Sequence, residues 1–152
     1  MHEFLDGYKE VRLDIDPTVN PDIVASLTDM GDIGPFDAVY GSHVLEHFAP
    51  HEVVKVMSEC LRILKPKGMV VIIVPNLEKV RPTREVVYDS PAGQITGLDM
   101  FYGKESLVAV NPYMAHKTGF VVETLKEALS GFDRSEVREL TDYNLLGIGV
   151  KA

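Results

Sequence analysis

Cys60 is the only cysteine in 152 residues. This excludes an internal disulfide and a cysteine-rich zinc site, and it fits a reducing, cytoplasmic setting. Long apolar runs are also lacking: no stretch reaches the roughly 20 residues that a membrane span needs. The opening Met1-His2-Glu3-Phe4-Leu5-Asp6 reads as no signal peptide. Net positive charge is lacking too, since 15 Lys and Arg stand against 23 Asp and Glu, a formal charge of -8. The basic residues are dispersed except at Lys65-Pro66-Lys67 and between Arg81 and Arg84. Nonspecific binding to phosphate backbones needs clustered Lys and Arg, so a nucleic-acid partner is not expected, and neither is a membrane. Repeats, low-complexity tracts and linkers are absent, and the chain is expected to form one domain over residues 1–152. A hydrophobic fraction of 45% and a charged fraction of 25% are those of an ordinary globular protein.

The periodicity predicts an α/β order. Val11 to Asp16 alternates as a short strand that Pro17 stops, Ile23 to Leu27 is a second short run, and Phe36 to Tyr40 a third. From Pro50 to Leu64, Val53, Val54, Met57, Cys60, Leu61 and Leu64 recur at helical spacing, and Pro66 and Gly68 close the helix. Met69 to Val74 is continuously apolar and β-branched, as expected of a strand buried on both faces. Residues 77–118 show no strong period and read as a long irregular insert. Val122 to Leu129 reads as a helix. Ser135 to Leu140 and Leu145 to Val150 read as a terminal antiparallel hairpin around Asp142-Tyr143-Asn144.

Three segments, in this order, resemble class I (Rossmann-like) S-adenosylmethionine-dependent methyltransferases, especially the small bacterial kind usually described only as predicted methyltransferases. Val11 to Pro17 resembles the second strand of that fold, Pro21 to Met30 the third strand and its loop. Phe36-Asp37-Ala38-Val39-Tyr40-Gly41-Ser42-His43-Val44-Leu45-Glu46-His47, followed by the helix and by Leu61 to Asn76, resembles the fourth strand through the fifth. The resemblance implies a three-layer, mostly parallel sheet with a C-terminal antiparallel hairpin. It also implies S-adenosylmethionine as cofactor. Asp14, with Ile15 beside it, matches the acidic position that takes the two ribose hydroxyls, and a carboxylate can accept both. Ser26 and Leu27 stand at the adenine position, where the family often has Asp. Tyr40, Gly41, Ser42 and His43 stand where the fourth strand borders the cofactor. Lys67 replaces a glycine common in the family and is expected only to shape a turn.

The glycine-rich loop that ends the first strand of that fold has no counterpart here. Gly7 is the only glycine before Val11, so the first strand and first helix are missing from the pattern. The missing strand normally lies between the second and fourth. Either those two pair directly, or another segment or chain fills the slot, because open edges and apolar surface are poorly tolerated by water. A homo-oligomer, or a partner chain completing the sheet, is therefore expected.

The resemblance implies methyl transfer to a small-molecule or glycan-type acceptor, with His47 and His116 as candidates for deprotonating it, since imidazole titrates near neutrality. Tyr102, Tyr113 and Met114 either line the acceptor pocket with His116 or only pack the insert. His43, Glu46 and His47 invite a metal or acid–base reading, with His43 and His47 spaced as if one helical turn apart, as in some metal sites. No third ligand is evident beside His51 and His116, so no metal is assigned and Glu46 and His47 are expected to brace the loop. The competing readings are a non-catalytic binding or scaffold subunit, favoured by the absent glycine loop, and a different reaction on the same cofactor.

Overall fold

A computed structural model describes residues 6–141 and 143–152. The opening residues read as no signal peptide, and Asp142 of the expected turn, lie outside that range except for Asp6. The first two strands are short: β1 (Leu13–Asp14) and β2 (Ile23–Val24) pair in parallel. β3 (Phe36–Ser42) follows, then a 3-10 turn (Leu45–His47) and helix α1 (Pro50–Ile63). Pro50 presets the first helical turn, and the Glu52 carboxylate reaches back to the Ala49 N–H at 2.9 Å, so the helix starts where the sequence places it. Its buried stripe is Val53, Val56, Met57, Cys60 and Ile63; Val54 is 67% exposed, and Val56 takes the place expected for it. Burial pushes the Cys60 thiol up to about 12.

α1 runs directly into β4 (Leu64–Pro75), which is buried from Val70 to Pro75. β4 pairs with β3 in parallel and with β8 (Asn144–Val150) antiparallel, and β8 pairs with β7 (Arg134–Glu139) antiparallel, giving the order β3-β4-β8-β7. The terminal hairpin is therefore present. The expected mostly parallel sheet is instead mixed, with one parallel and two antiparallel pairings among its four strands. The physical reason is that the hairpin inserts its second strand beside β4 while β1 and β2 stay apart as their own pair.

β4 alternates between two apolar clusters, as period-2 geometry requires. Val70, Ile72 and Val74 pack with Met57, Leu125 and Leu129, hence with α1 and with α4 (Val122–Ala128). Val71 and Ile73 form a small cluster with Leu146, joined by Met69, Leu140 and Ile148. The expected third layer is thus reduced on this face to a cluster without a helix residue. The Lys65–Gly68 segment bulges out of β4: Lys67 has φ 65, and a Cβ on Gly68 would lie 2.8 Å from the Lys65 carbonyl. The left-handed backbone at Lys67 is the turn-shaping role expected of that position, and it accounts for glycine being favoured there.

The insert is more regular than its sequence suggests. It holds the hairpin β5 (Val86–Ser90) and β6 (Gly93–Thr96), then α2 (Gly97–Tyr102) and α3 (Glu105–Val108). Thr96 caps α2, its hydroxyl accepting from the Asp99 N–H while the Asp99 carboxylate accepts from the Thr96 N–H. Such short elements carry no period long enough to read from sequence. No helix among the described residues is long and apolar enough to cross a membrane.

Candidate functional site

Two cavities adjoin β3. The first, of about 570 Å³, lies between β1 and β3 and is lined by residues 8–13, by Leu27, Met30 and Ile33, and by Phe36 to Tyr40. β1 and β3 do not pair, and among the described residues no strand fills the space between them. This is the slot expected between the second and fourth strands of the resembled fold.

The second cavity, of about 500 Å³, lies at the carboxyl end of β3 under the insert. His43, Glu46, His47, Met100, His116 and Asn144 are among its walls. Its floor is fixed by backbone: the Glu46 carbonyl accepts from the N–H groups of Lys117 (2.8 Å) and Thr118 (3.2 Å), and the His43 N–H donates to Ile73 at 2.9 Å. His43 has φ 52, the left-handed region that side chains rarely adopt, in the loop leaving β3. His43 and His47 are therefore not one turn apart on a helix.

Polar atoms converge here without ordinary partners. Glu46 is 1% exposed, and neither carboxylate oxygen makes a hydrogen bond. His43 Nδ1 stands 3.4 Å from Glu46 Oε1, close enough for an ion pair with a protonated ring but outside hydrogen-bond geometry. Asn144 is 5% exposed, and its Oδ1 is likewise unpartnered. Buried polar atoms are overwhelmingly satisfied, and each exception calls for an explanation. All three exceptions among the described residues belong to walls of this one cavity.

The two histidines expected to act on an acceptor are brought together, their ring centroids 5.1 Å apart at 71°. His47 Nδ1 lies 3.2 Å from the Ala115 carbonyl and His116 Nδ1 2.9 Å from the Met100 carbonyl. With Nδ1 donating, each ring keeps Nε2 as an acceptor. Burial holds the His116 imidazole below its ordinary value, against the opposing pull of its Met100 hydrogen bond. Met114 lines the same cavity, whereas Tyr102 and Tyr113, each 65% exposed, do not.

The eight cofactor residues are not gathered in one cavity. Leu27 and Tyr40 line the first and His43 the second, while Asp14, Ile15, Ser26, Gly41 and Ser42 line neither. Asp14 is exposed at the carboxyl end of β1, with one oxygen accepting from the Asp16 N–H at 2.9 Å. Ser26 Oγ is engaged by the hydroxyl and the N–H of Thr28. Sequence reasoning did not single out Asn144, which looks like an ordinary turn residue until the hairpin carries it beside Glu46. Glu46 was weighed with His43 and His47 for a metal or acid–base role and expected to brace the loop, because only the fold reveals that its carboxylate is buried without a hydrogen bond.

Comparison with known proteins agrees with this architecture. A family model described as a methyltransferase domain matches residues 8–72, from the region before β1 to β4. No curated protein matches the chain. Among solved structures, the PH0226 protein of Pyrococcus horikoshii is similar over 96% of this chain and 73% of its own, at 16% identity and a TM-score of 0.63. Human N-acetylserotonin methyltransferase, solved with S-adenosylmethionine, is similar over 84% of this chain and 32% of its own, at 14% identity and a TM-score of 0.56. An O-methyltransferase family protein from Burkholderia thailandensis is similar over 84% and 34%, at 18% identity and 0.53. The chain thus spans about a third of the length of the last two. The family model covers the first part of the fold, through β3 and α1 into β4, and the likeness to these solved structures shows a shared methyltransferase-like fold.

For the adenosine end of S-adenosylmethionine the chain offers an exposed carboxylate, Asp14, at the end of β1, and Leu27 and Tyr40 on the first cavity. Among the described residues no glycine-rich backbone stands where the methionine end would lie.

Proposed function

We propose that this domain transfers a methyl group from S-adenosylmethionine to a small polar acceptor, a small molecule or glycan type, seated in the second cavity. One observation carries this reading: the unpartnered carboxylate of Glu46 and the unpartnered Asn144 Oδ1 share a pocket with two histidines whose Nε2 atoms are left as acceptors. A volume of about 500 Å³ suits a small molecule. When bound, S-adenosylmethionine supplies an electrophilic methyl. Asp14 holds the ribose, Ile15, Ser26 and Leu27 the adenosine edge, and Tyr40 to His43 lead from the cofactor side into the acceptor pocket. His47 or His116 takes the acceptor's proton at Nε2, while the pocket holds the acceptor in line. In the same reading a second copy of the chain covers the slot between β1 and β3, because among the described residues no strand lies between them.

Calorimetric titration with S-adenosylhomocysteine is the test. Micromolar binding that Asp14→Ala weakens about tenfold or more supports the reading, as expected for loss of charge-assisted hydrogen bonds. No heat at millimolar ligand refutes it and leaves the non-catalytic scaffold. His116→Ala should leave that affinity unchanged and lower kcat about 100-fold once an acceptor is found.

A further inference from the structure

The polar cluster of the second cavity has a property that methyl transfer does not require. Glu46, His47 and His116 each offer one ligand atom, and these atoms lie within 4.8 Å of one another. Three ligands held about 2.1 Å from one ion stand roughly 3.0–3.6 Å apart. The group therefore closes on a cation with side-chain adjustments of up to about 1 Å.

Three independent features make this a built site rather than a chance meeting of side chains. The carboxylate is 1% exposed and neither oxygen makes a hydrogen bond, an arrangement that is strongly unfavourable unless a positive charge answers it. Each imidazole is anchored through Nδ1 on a backbone carbonyl, Ala115 for His47 and Met100 for His116. That is how ligating histidines are oriented, a proton on Nδ1 leaving the lone pair of Nε2 available to an ion. Finally, the three residues come from two distant segments that the Glu46 carbonyl locks together through Lys117 and Thr118. Preorganisation of this kind is what a metal site needs and what a packing cluster does not.

We propose that Glu46, His47 and His116 bind one divalent transition-metal cation, with its remaining positions open to the acceptor cavity. Two imidazoles and one carboxylate select borderline ions such as zinc, cobalt or nickel over calcium. His43, 3.4 Å from Glu46 Oε1, steadies the carboxylate from outside the ligand set. The bound cation would receive an acceptor hydroxyl as a further ligand and ease loss of its proton, replacing the direct proton acceptance by His47 or His116 proposed above for the metal-free site. The binding site itself does not rest on the methyl-transfer reading, and its test involves neither cofactor nor acceptor.

The test is titration of chelator-treated protein with cobalt(II) alone, followed by visible d–d absorption, with zinc as competitor. One cobalt per chain is expected, displaced stoichiometrically by zinc. Glu46→Gln and His116→Ala should each weaken binding about 100-fold or more, while His51→Ala, exposed on the first turn of α1, should not. Metal should raise the unfolding temperature of the wild type and not of Glu46→Gln, which keeps the shape and removes the charge. If His116→Ala fails to fold, Glu46→Gln and His47→Gln decide. Absence of binding at millimolar cobalt overturns the proposal, as does binding that these variants leave unchanged or that His51→Ala weakens equally.

Discussion

The two cavities on β3 are similar in volume and opposite in character. The one at its free edge is a gap between elements, walled by strand edges and by apolar side chains such as Leu13, Ile23 and Val39. The one at its carboxyl end is enclosed by an insert whose turns, caps and backbone hydrogen bonds all serve to hold polar groups in place. Polar atoms without hydrogen bonds mark the second, and two strands that do not pair with each other mark the first. A cavity left by fold geometry asks to be filled by chain, whereas a cavity kept open at a cost in buried charge asks for a ligand.

This contrast can be broken from its foundations. Leu45, fully buried immediately before Glu46, belongs to the main core. Leu45→Ala should cost about 2–5 kcal/mol in thermal or urea unfolding, and Leu13→Ala on the slot wall only about 1 kcal/mol. Equal costs would mean that the slot is as well packed as the site. On the slot side, Val11→Lys places a charge on an already exposed wall residue. If a second copy covers the slot, sedimentation should show self-association at least about tenfold weaker in this variant, with the fold intact. An unchanged mass distribution would count against that partner.

Acid should loosen the slot's neighbourhood. Glu59 accepts from Arg62 and from the Met30 N–H, tying the loop before β3 to α1, and these contacts lower its carboxyl to about 2 from an ordinary 4.5. A carboxylate depressed in the folded state stabilises above the unfolded value. Its contribution therefore begins to fade as pH falls below about 4.5 and is gone below about 2. Unfolding temperatures across that window should fall less steeply for Glu59→Gln than for the wild type. The smallest effect is expected at the β4 bulge, where Lys67→Gly relieves a left-handed backbone and should raise stability by up to about 1 kcal/mol, net of the extra freedom of the unfolded chain.

Much of this could be read from residues in order. The helix starts at Pro50 because proline and the Glu52 return bond both act within one turn. The buried strand from Met69 and the hairpin strands from Ser135 and Leu145 announce themselves by runs or turn residues that act locally. His47 and His116 were legible as candidates from the family resemblance together with the chemistry of imidazole. The insert was not: β5, β6, α2 and α3 are too short to show a period, and their stability comes from caps and long-range backbone bonds. Val54 was misplaced on the helix stripe because the neighbouring layer, not the period alone, decides which edge of a stripe is covered.

By itself, then, the sequence determined the local elements, their order and the family they resemble, since these depend on spacing, caps and turn chemistry within a few residues. Tertiary structure alone decided that β1 and β3 stand apart around a slot, that the sheet is mixed, and that Glu46 meets His116 across 70 positions of chain. Those outcomes depend on which surfaces exclude water together and on which buried charges find partners, and neither is a property of any residue or its neighbours in the chain.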